Sequence, residues 1–470
     1  MSTATDQRAG DGAVETREFK RVLGLPALVF FGLAYMVPLT VWTTYGVVTV
    51  TTEGHLPAAY LVATVAMLLT AYSYARMVVA HPTSGSAYTY ASKAFGRPLG
   101  FMVGWGLLLD YIFLPMINFL VIGLYMQDYF PSTNQEMWIV IAALLVTGLN
   151  IVGIRLLASM NFVLVVAQIV FIVVFATMAI VKLGGDVEVE SWTAPFFGDG
   201  ANLGLIFSGA AILALSFLGF DAVSTLSEET KDPRRNIPRA IMLCAFVAGL
   251  LYIFQSYLAQ LVFPDWQSFA DNQDVASSEV MEFIGRDFLD TFFTAAYVAG
   301  AFASAMAAQA SVARVLFAMG RDGSLPRPIF GKLHPRFRTP VTANLVVGAC
   351  GLLALVISLA TVSSMISFGA LLAFSFVNLS VIKTFVFDQG RQSAKDLLLF
   401  GLIPLVGFGF TIYLWTKLTS LTFEIGLSWL AAGLILLAIL TRGFRKSPPA
   451  MYDADDEHLL DGEARPAAAS

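Results

Sequence analysis

Twelve apolar runs of membrane-spanning length fill this 470-residue chain, and two of them are interrupted in the middle. The runs fall near 25–50, 57–80, 98–127, 136–154, 158–183, 204–225, 239–263, 290–318, 341–360, 363–386, 397–417 and 423–442. About twenty apolar residues are needed to cross a bilayer as a helix. In hydrocarbon every backbone amide and carbonyl must be satisfied within the protein, so only helices or a closed barrel can span. Runs of this length are helical in character, and the expectation is an all-α integral membrane protein of twelve transmembrane helices. Composition agrees: 57% of residues are hydrophobic and 13% charged, with a mean hydropathy of +0.73, whereas a soluble domain carries roughly 25% charged residues.

The sixth run reads LIFSGAAILALSFLGFDAVST over 205–225. It contains Gly219 and a single carboxylate, Asp221. A charged residue at the bilayer centre costs about 2.5–3.5 kcal/mol on insertion scales and normally faces a cavity or a partner. A glycine break at that depth frees backbone groups that lipid cannot satisfy. The first run carries Gly32 and Pro38 near its middle, and an unwound stretch is expected at 32–38 because proline removes an intrahelical hydrogen bond. Interruptions in the first and sixth spans are corresponding positions of two five-helix halves. That pattern belongs to inverted-repeat secondary transporters, with the site near the midplane. The organisation expected is a tail at 1–22, a first repeat at 23–183, a second at 204–386, two further helices within 397–442, and an acidic, alanine-rich, disordered tail at 447–470.

Charge sets the orientation. With the N-terminus inside, the outer loops hold only Lys182, Arg286 and Lys417, and the inner loops take nearly all other lysines and arginines. Both termini are therefore expected in the cytoplasm. No cleavable signal peptide is visible. The outer loop after the seventh span is acidic, with Asp265, Asp271, Asp274, Glu279, Glu282, Asp287 and Asp290. It reads either as an electrostatic funnel for cations or as solubilising charge left where basic residues are excluded. Cys244 and Cys350 lie in apolar runs and read as small buried hydrophobes.

Polar residues inside the spans are the site candidates. Asp110 and Tyr111 sit mid-way along the third run. Asp110 could recognise a cation, relay a proton or make a structural hydrogen bond. Tyr111 could stack on an ammonium group or pack in the core. Glu228 and Glu229 follow Asp221 by two turns and precede the basic loop Lys231-Asp-Pro-Arg-Arg. They read as a proton site or gate, or as helix-end ion pairs with Arg234, Arg235 or Arg314. Aromatics line the breaks: Tyr35, Trp42 and Tyr45 in the first span, Phe217 and Phe220 in the sixth. Aromatic faces beside a carboxylate suit an organic cation, at roughly 0.5–2 kcal/mol each. The four histidines are scattered through loops and the tail, and no nucleophile, phosphate-binding or metal-ligand pattern occurs. Neither an enzyme, a metal nor a cofactor is expected.

The stretch Pro82-Thr-Ser-Gly-Ser-Ala-Tyr-Thr-Tyr-Ala resembles the cytoplasmic loop signature of the amino acid–polyamine–organocation permeases. So do Gly104-Trp105, the run from Gly219 through Glu228-Glu229 to Pro233, Ile237-Pro-Arg-Ala, the ending Arg314…Ala-Met-Gly-Arg-Asp-Gly-Ser-Leu-Pro, and Thr339-Pro340. The likeness covers residues 20–445. It implies the five-plus-five inverted repeat with broken first and sixth helices, two extra helices, and alternating access. Within the family the chain looks most like bacterial putrescine importers, on Gly32-Leu-Ala-Tyr-Met-x-Pro, Ser84-Gly-Ser-Ala-Tyr-Thr-Tyr-Ala, Leu109-Asp-Tyr-x-Phe-x-Pro-Met-Ile-Asn and Leu226-Ser-Glu-Glu-Thr-Lys-Asp.

Two departures sharpen that likeness. Amino acid permeases typically have a glycine- and serine-rich first break that holds the substrate carboxylate, where this chain has Leu33, Ala34, Tyr35, Met36 and Pro38. Many also carry a fifth-span lysine linked to proton coupling, where this chain has Gln168.

The expected function is import of putrescine or a related amine across the cytoplasmic membrane, by proton symport. The alternative is an amino acid permease of the same family, and a passive channel or transporter-like receptor is the rival of another class. The substrate-site residues expected are Asp221, Tyr111, Asp110, Tyr35, Phe217, Gly219 and Gly32, with Glu228, Glu229 and Gln168 for coupling or gating. The expected partners are a small cationic amine, a co-transported proton and the lipid bilayer, not nucleic acid. Oligomeric state is not legible.

Overall fold

The computed structural model describes residues 21–443, apart from 186, 188, 190, 199–200, 271–272, 274–275 and 322. Asp271, Asp274 and most of both expected tails lie outside the described residues. Among the described residues, eleven helices are long and apolar enough to cross a bilayer, and a shorter apolar helix, Val341–Leu355, supplies the twelfth segment. The only extended pairing among them is an isolated bridge between Leu23 and Thr230. The chain is a multi-pass, all-helical protein, as its apolar runs require.

The first and sixth spans are broken, the first only at the C-terminal end of the expected stretch 32–38. Its helix, Leu25–Met36, continues through Gly32 and ends at Val37, whose φ of 54° and ψ of 102° leave the helical region. A 3-10 turn, Thr40–Trp42, and a helix, Tyr45–Thr51, follow. Pro38 accounts for the break, since it has no N–H to continue the ladder. Gly32 serves packing instead. A Cβ there would strike the Cys244 sulfur and lie 2.9 Å from Val223 Cγ2. The missing side chain lets the first span close on the sixth and seventh.

The sixth span runs as a helix over Leu203–Leu213 and a 3-10 turn over Ala214–Phe217. It turns extended at Leu218, and a second 3-10 stretch covers Asp221–Glu229. The turn requires Gly219, at φ 127°, a conformation L side chains rarely adopt.

Other spans depart from the sequence pattern. The eighth helix spans Ala276–Arg321, starting well before 290, with a kink at Arg286. The segment before the kink packs on the outer part of the first span: Ser277 Oγ donates to the Trp42 carbonyl at 2.5 Å. The tenth span ends in a π-helical stretch, Ile382–Asp388, and the eleventh begins in another, Leu397–Leu402. A short helix, Ser86–Phe95, follows the second span.

The third span, Arg97–Tyr129, stays helical through Pro115. Pro115 has no N–H to offer the carbonyl four residues earlier, which belongs to Tyr111. The tenth span meets this turn backbone to backbone, because a Cβ on Gly369 would lie 2.6 Å from the Asp110 nitrogen.

Candidate functional site

The two breaks and the middle of the third span meet at one buried cluster. Asp221 is fully buried, and its carboxylate is held at both oxygens. The Tyr111 hydroxyl donates to Oδ2 at 2.6 Å, and the Gly219 amide donates to Oδ1 at 3.2 Å. Asp110 is 1% exposed, and neither of its carboxyl oxygens has a hydrogen-bond partner among the described residues. Asp110 directly precedes Tyr111, whose hydroxyl holds Asp221, so both acids lie at the junction of the third span with the sixth-span break. Among the described residues no lysine, arginine or histidine pairs with either.

Aromatic rings enclose the acids. Tyr35 packs directly on the glycine turn, where a Cβ at Gly219 would lie 2.5 Å from its Cδ1. Its ring centroid is 6.4 Å from that of Tyr111, and its buried hydroxyl has no partner. Tyr74, on the second span, also keeps a buried, unpartnered hydroxyl toward the two acids. The sequence had not singled it out. Phe220 stacks on Phe374 with centroids 5.5 Å apart and meets Tyr74 edge-on. Phe217 is buried too, but its ring stands edge-to-face on Tyr252 at 5.5 Å.

Tyr252, on the seventh span, is the residue the sequence reading most clearly missed. Its hydroxyl lies 2.9 Å from the Met36 carbonyl, 3.3 Å from Val37 and 3.0 Å from Ser216. One phenol thus ties the carbonyls freed at both breaks. Gln255, one turn on, donates to the Pro38 carbonyl at 2.9 Å and accepts from Trp42 Nε1 at 3.0 Å. Ser304 on the eighth span donates to the Tyr35 carbonyl at 2.7 Å and accepts from Asn118 at 3.1 Å. Nothing in the local sequence marks these residues, because polar residues at apolar positions become meaningful only once the broken backbone lies opposite them. Several amides at the breaks are used locally: Val37 donates to Leu33, Thr40 to Val37, and Leu218 to Leu215. At the breaks the carbonyls are taken up by Tyr252, Gln255 and Ser304, and these amides by neighbouring backbone.

Both ends of the cluster are closed. On one side Trp42 packs edge-on against Phe175 at 5.0 Å, Tyr297 lies 5.0 Å from Tyr125, and the Thr43 and Tyr297 hydroxyls are hydrogen-bonded. Gln168 borders the first break on this path. A Cβ on Gly300 would lie 2.8 Å from both Gln168 Oε1 and Val37 Cγ1.

On the other side both glutamates have arginine partners. Glu228 takes a two-pronged contact from Arg321, at 3.0 and 3.2 Å, and accepts from the Ser84 amide at 3.2 Å. Glu229 pairs with buried Arg314, and its carbonyl accepts from the amides of Val22 and Leu23 at 2.9 and 3.0 Å. Both glutamates are ion-paired, Glu229 with Arg314 and Glu228 with Arg321. Ser224 donates to Ser86 at 2.9 Å across the same closure.

Comparison with known proteins places this arrangement. The amino acid permease family model matches residues 27–441. The low-affinity putrescine importer PlaP of Escherichia coli K12 is 41% identical over 439 residues, covering 93% of this chain and 97% of that protein. The branched-chain amino acid permease BcaP and the methylthioribose transporter, both of Bacillus subtilis 168, are each 27% identical and cover 92% and 91% of the chain. A chain matched almost end to end by transporters is itself a transporter and not an enzyme, and it belongs to the amino acid permease family.

Proposed function

We propose that this protein imports putrescine or a closely related diamine across the cytoplasmic membrane by alternating access, with a proton as co-substrate. One observation carries the reading: two buried carboxyls, Asp110 and Asp221, lie where the third span meets the sixth-span break, and among the described residues no basic side chain pairs with either. Buried charges require partners. A molecule with two ammonium groups supplies both. Asp110, with two unpartnered oxygens, takes one ammonium directly. Asp221, oriented by Tyr111, takes the other. Tyr35 and Tyr74 form the walls.

The breaks support a cation over a zwitterion. A carboxylate needs free N–H groups, and here the amides of Val37, Thr40 and Leu218 at the breaks are bonded within the backbone. The Escherichia coli importer's name points to the same substrate class. The lysine and arginine asymmetry places both termini and the Glu228–Glu229 closure on the cytoplasmic side. We assign the halves to residues 23–183 and 204–386, with the last two helices outside the repeat. Glu228 and Glu229, each paired to an arginine, serve as the inner gate. Gln168, uncharged at the first break, lines the path.

Uptake of labelled putrescine into vesicles with an imposed proton gradient tests this. Accumulation that collapses with a protonophore is expected. Accumulation of a neutral amino acid with no putrescine uptake would favour the amino acid permease reading. Equilibration without concentration would favour a channel.

A further inference from the structure

Two arginines at the basic end of the bundle differ from Arg314 and Arg321, which have carboxylate partners. Arg76, in the last turns of the second span, and Arg391, between the tenth and eleventh, form no ion pair among the described residues. The Arg76 Nε is buried and has no hydrogen-bond partner. Both guanidinium groups converge on a single pair of rings. Phe385 and Phe400 are stacked with centroids 4.6 Å apart and planes at 16°. Arg76 lies 4.7 Å from the Phe400 centroid, and Arg391 lies 5.3 Å from each ring.

Each ring comes from one of the two π-helical stretches, Ile382–Asp388 and Leu397–Leu402. Such stretches are rare and often accompany functional sites. The nearest acid on these segments, Asp388, is paired with Lys383. Around the ring pair the surface is apolar and open: Phe387, Leu398 and Leu402 are 69%, 50% and 52% exposed.

We propose that this is a binding site for an anionic phospholipid, its phosphate held between Arg76 and Arg391 and its chains lying over Phe387, Leu398 and Leu402. Ring faces meet part of the demand of a guanidinium, at roughly 0.5–2 kcal/mol, but leave its N–H groups without acceptors. A phosphate supplies charge and acceptors together. Basic pockets between spans at the cytoplasmic side suit anionic head groups. The exposed apolar rim gives a lipid an advantage over free phosphate. A zwitterionic head group supplies the same acceptors without net charge.

The test uses the full-length protein in detergent, with thermal unfolding and native mass spectrometry in the presence of phosphatidylglycerol, phosphatidylcholine or inorganic phosphate. Phosphatidylglycerol alone should raise the unfolding midpoint and remain bound. Arg76→Gln and Arg391→Gln should each weaken its retention roughly fivefold. Arg391 is exposed, so its variant folds normally and keeps the test decisive if Arg76→Gln does not. Equal retention by wild type and Arg391→Gln, equal stabilisation by phosphatidylcholine or inorganic phosphate, or no binding to wild type would overturn the proposal.

Discussion

The Tyr111 hydroxyl donates to Asp221 across 2.6 Å, and the residue beside it in the chain, Asp110, keeps a buried carboxyl with no hydrogen-bond partner among the described residues. One acid is thereby oriented and the other left open. This inverts the expectation from sequence, which gave Asp221 the leading role because it sat at the break.

Removing the orienting hydroxyl tests the first half of that relationship. Tyr111→Phe keeps the ring and deletes one charge-assisted hydrogen bond, worth about 1.5–3 kcal/mol. Putrescine uptake is expected to lose at least tenfold in kcat/KM, with a lower unfolding midpoint because a buried carboxylate oxygen loses its donor. Unchanged kinetics would show that the bond does not position Asp221.

The glycine turn makes a second prediction. Gly219 combines φ 127° with the Tyr35 ring against its Cα. Gly219→Ala should lower the unfolding midpoint and abolish uptake, since backbone strain of this kind costs about 1–3 kcal/mol before any clash. Gly148→Ala, where a Cβ meets nothing within 4 Å, is the control and should leave both unchanged.

Tyr252→Phe removes the one phenol shared by Met36, Val37 and Ser216. A buried polar group deprived of its partner costs about 1–3 kcal/mol. The expected outcome is a lower unfolding midpoint and faster hydrogen exchange at residues 36–38 and 216–219. A variant with wild-type exchange in those segments would remove Tyr252 from the scaffold of the breaks.

The inner closure gives a fourth. Glu229 and Arg314 are a buried pair, 3% and 4% exposed. Glu229→Leu alone strands the guanidinium and should destabilise by about 3–5 kcal/mol, whereas Glu229→Leu with Arg314→Met should recover most of that loss. Chemical denaturation of the three variants reads the difference directly.

The twelve spans and the broken sixth helix were legible in the sequence because hydrophobic length and a glycine beside an acid are local signals. The first break, expected over 32–38, is confined to the Val37–Pro38 end, because Gly32 and Pro38 look alike in sequence as helix breakers. Only packing against Cys244 and Val223 shows that Gly32 is a contact and Pro38 the break. Tyr74, Tyr252, Gln255 and Ser304 were not legible, since each acts on backbone or acids contributed by a distant span. The ion pairs of Glu228 and Glu229 were anticipated as a type, and Arg321 was not among the expected partners.

The central claim is that two carboxyls read two ammonium groups. It is tested most directly by competing labelled putrescine with butylamine and with leucine, in proteoliposomes of wild type and Asp110→Asn. The account predicts that wild type prefers putrescine to butylamine by at least tenfold and ignores leucine, and that Asp110→Asn loses that preference and treats the diamine and the monoamine alike. An Asp110→Asn protein that keeps the wild-type preference for the diamine, or a wild type displaced by leucine as readily as by putrescine, would contradict it.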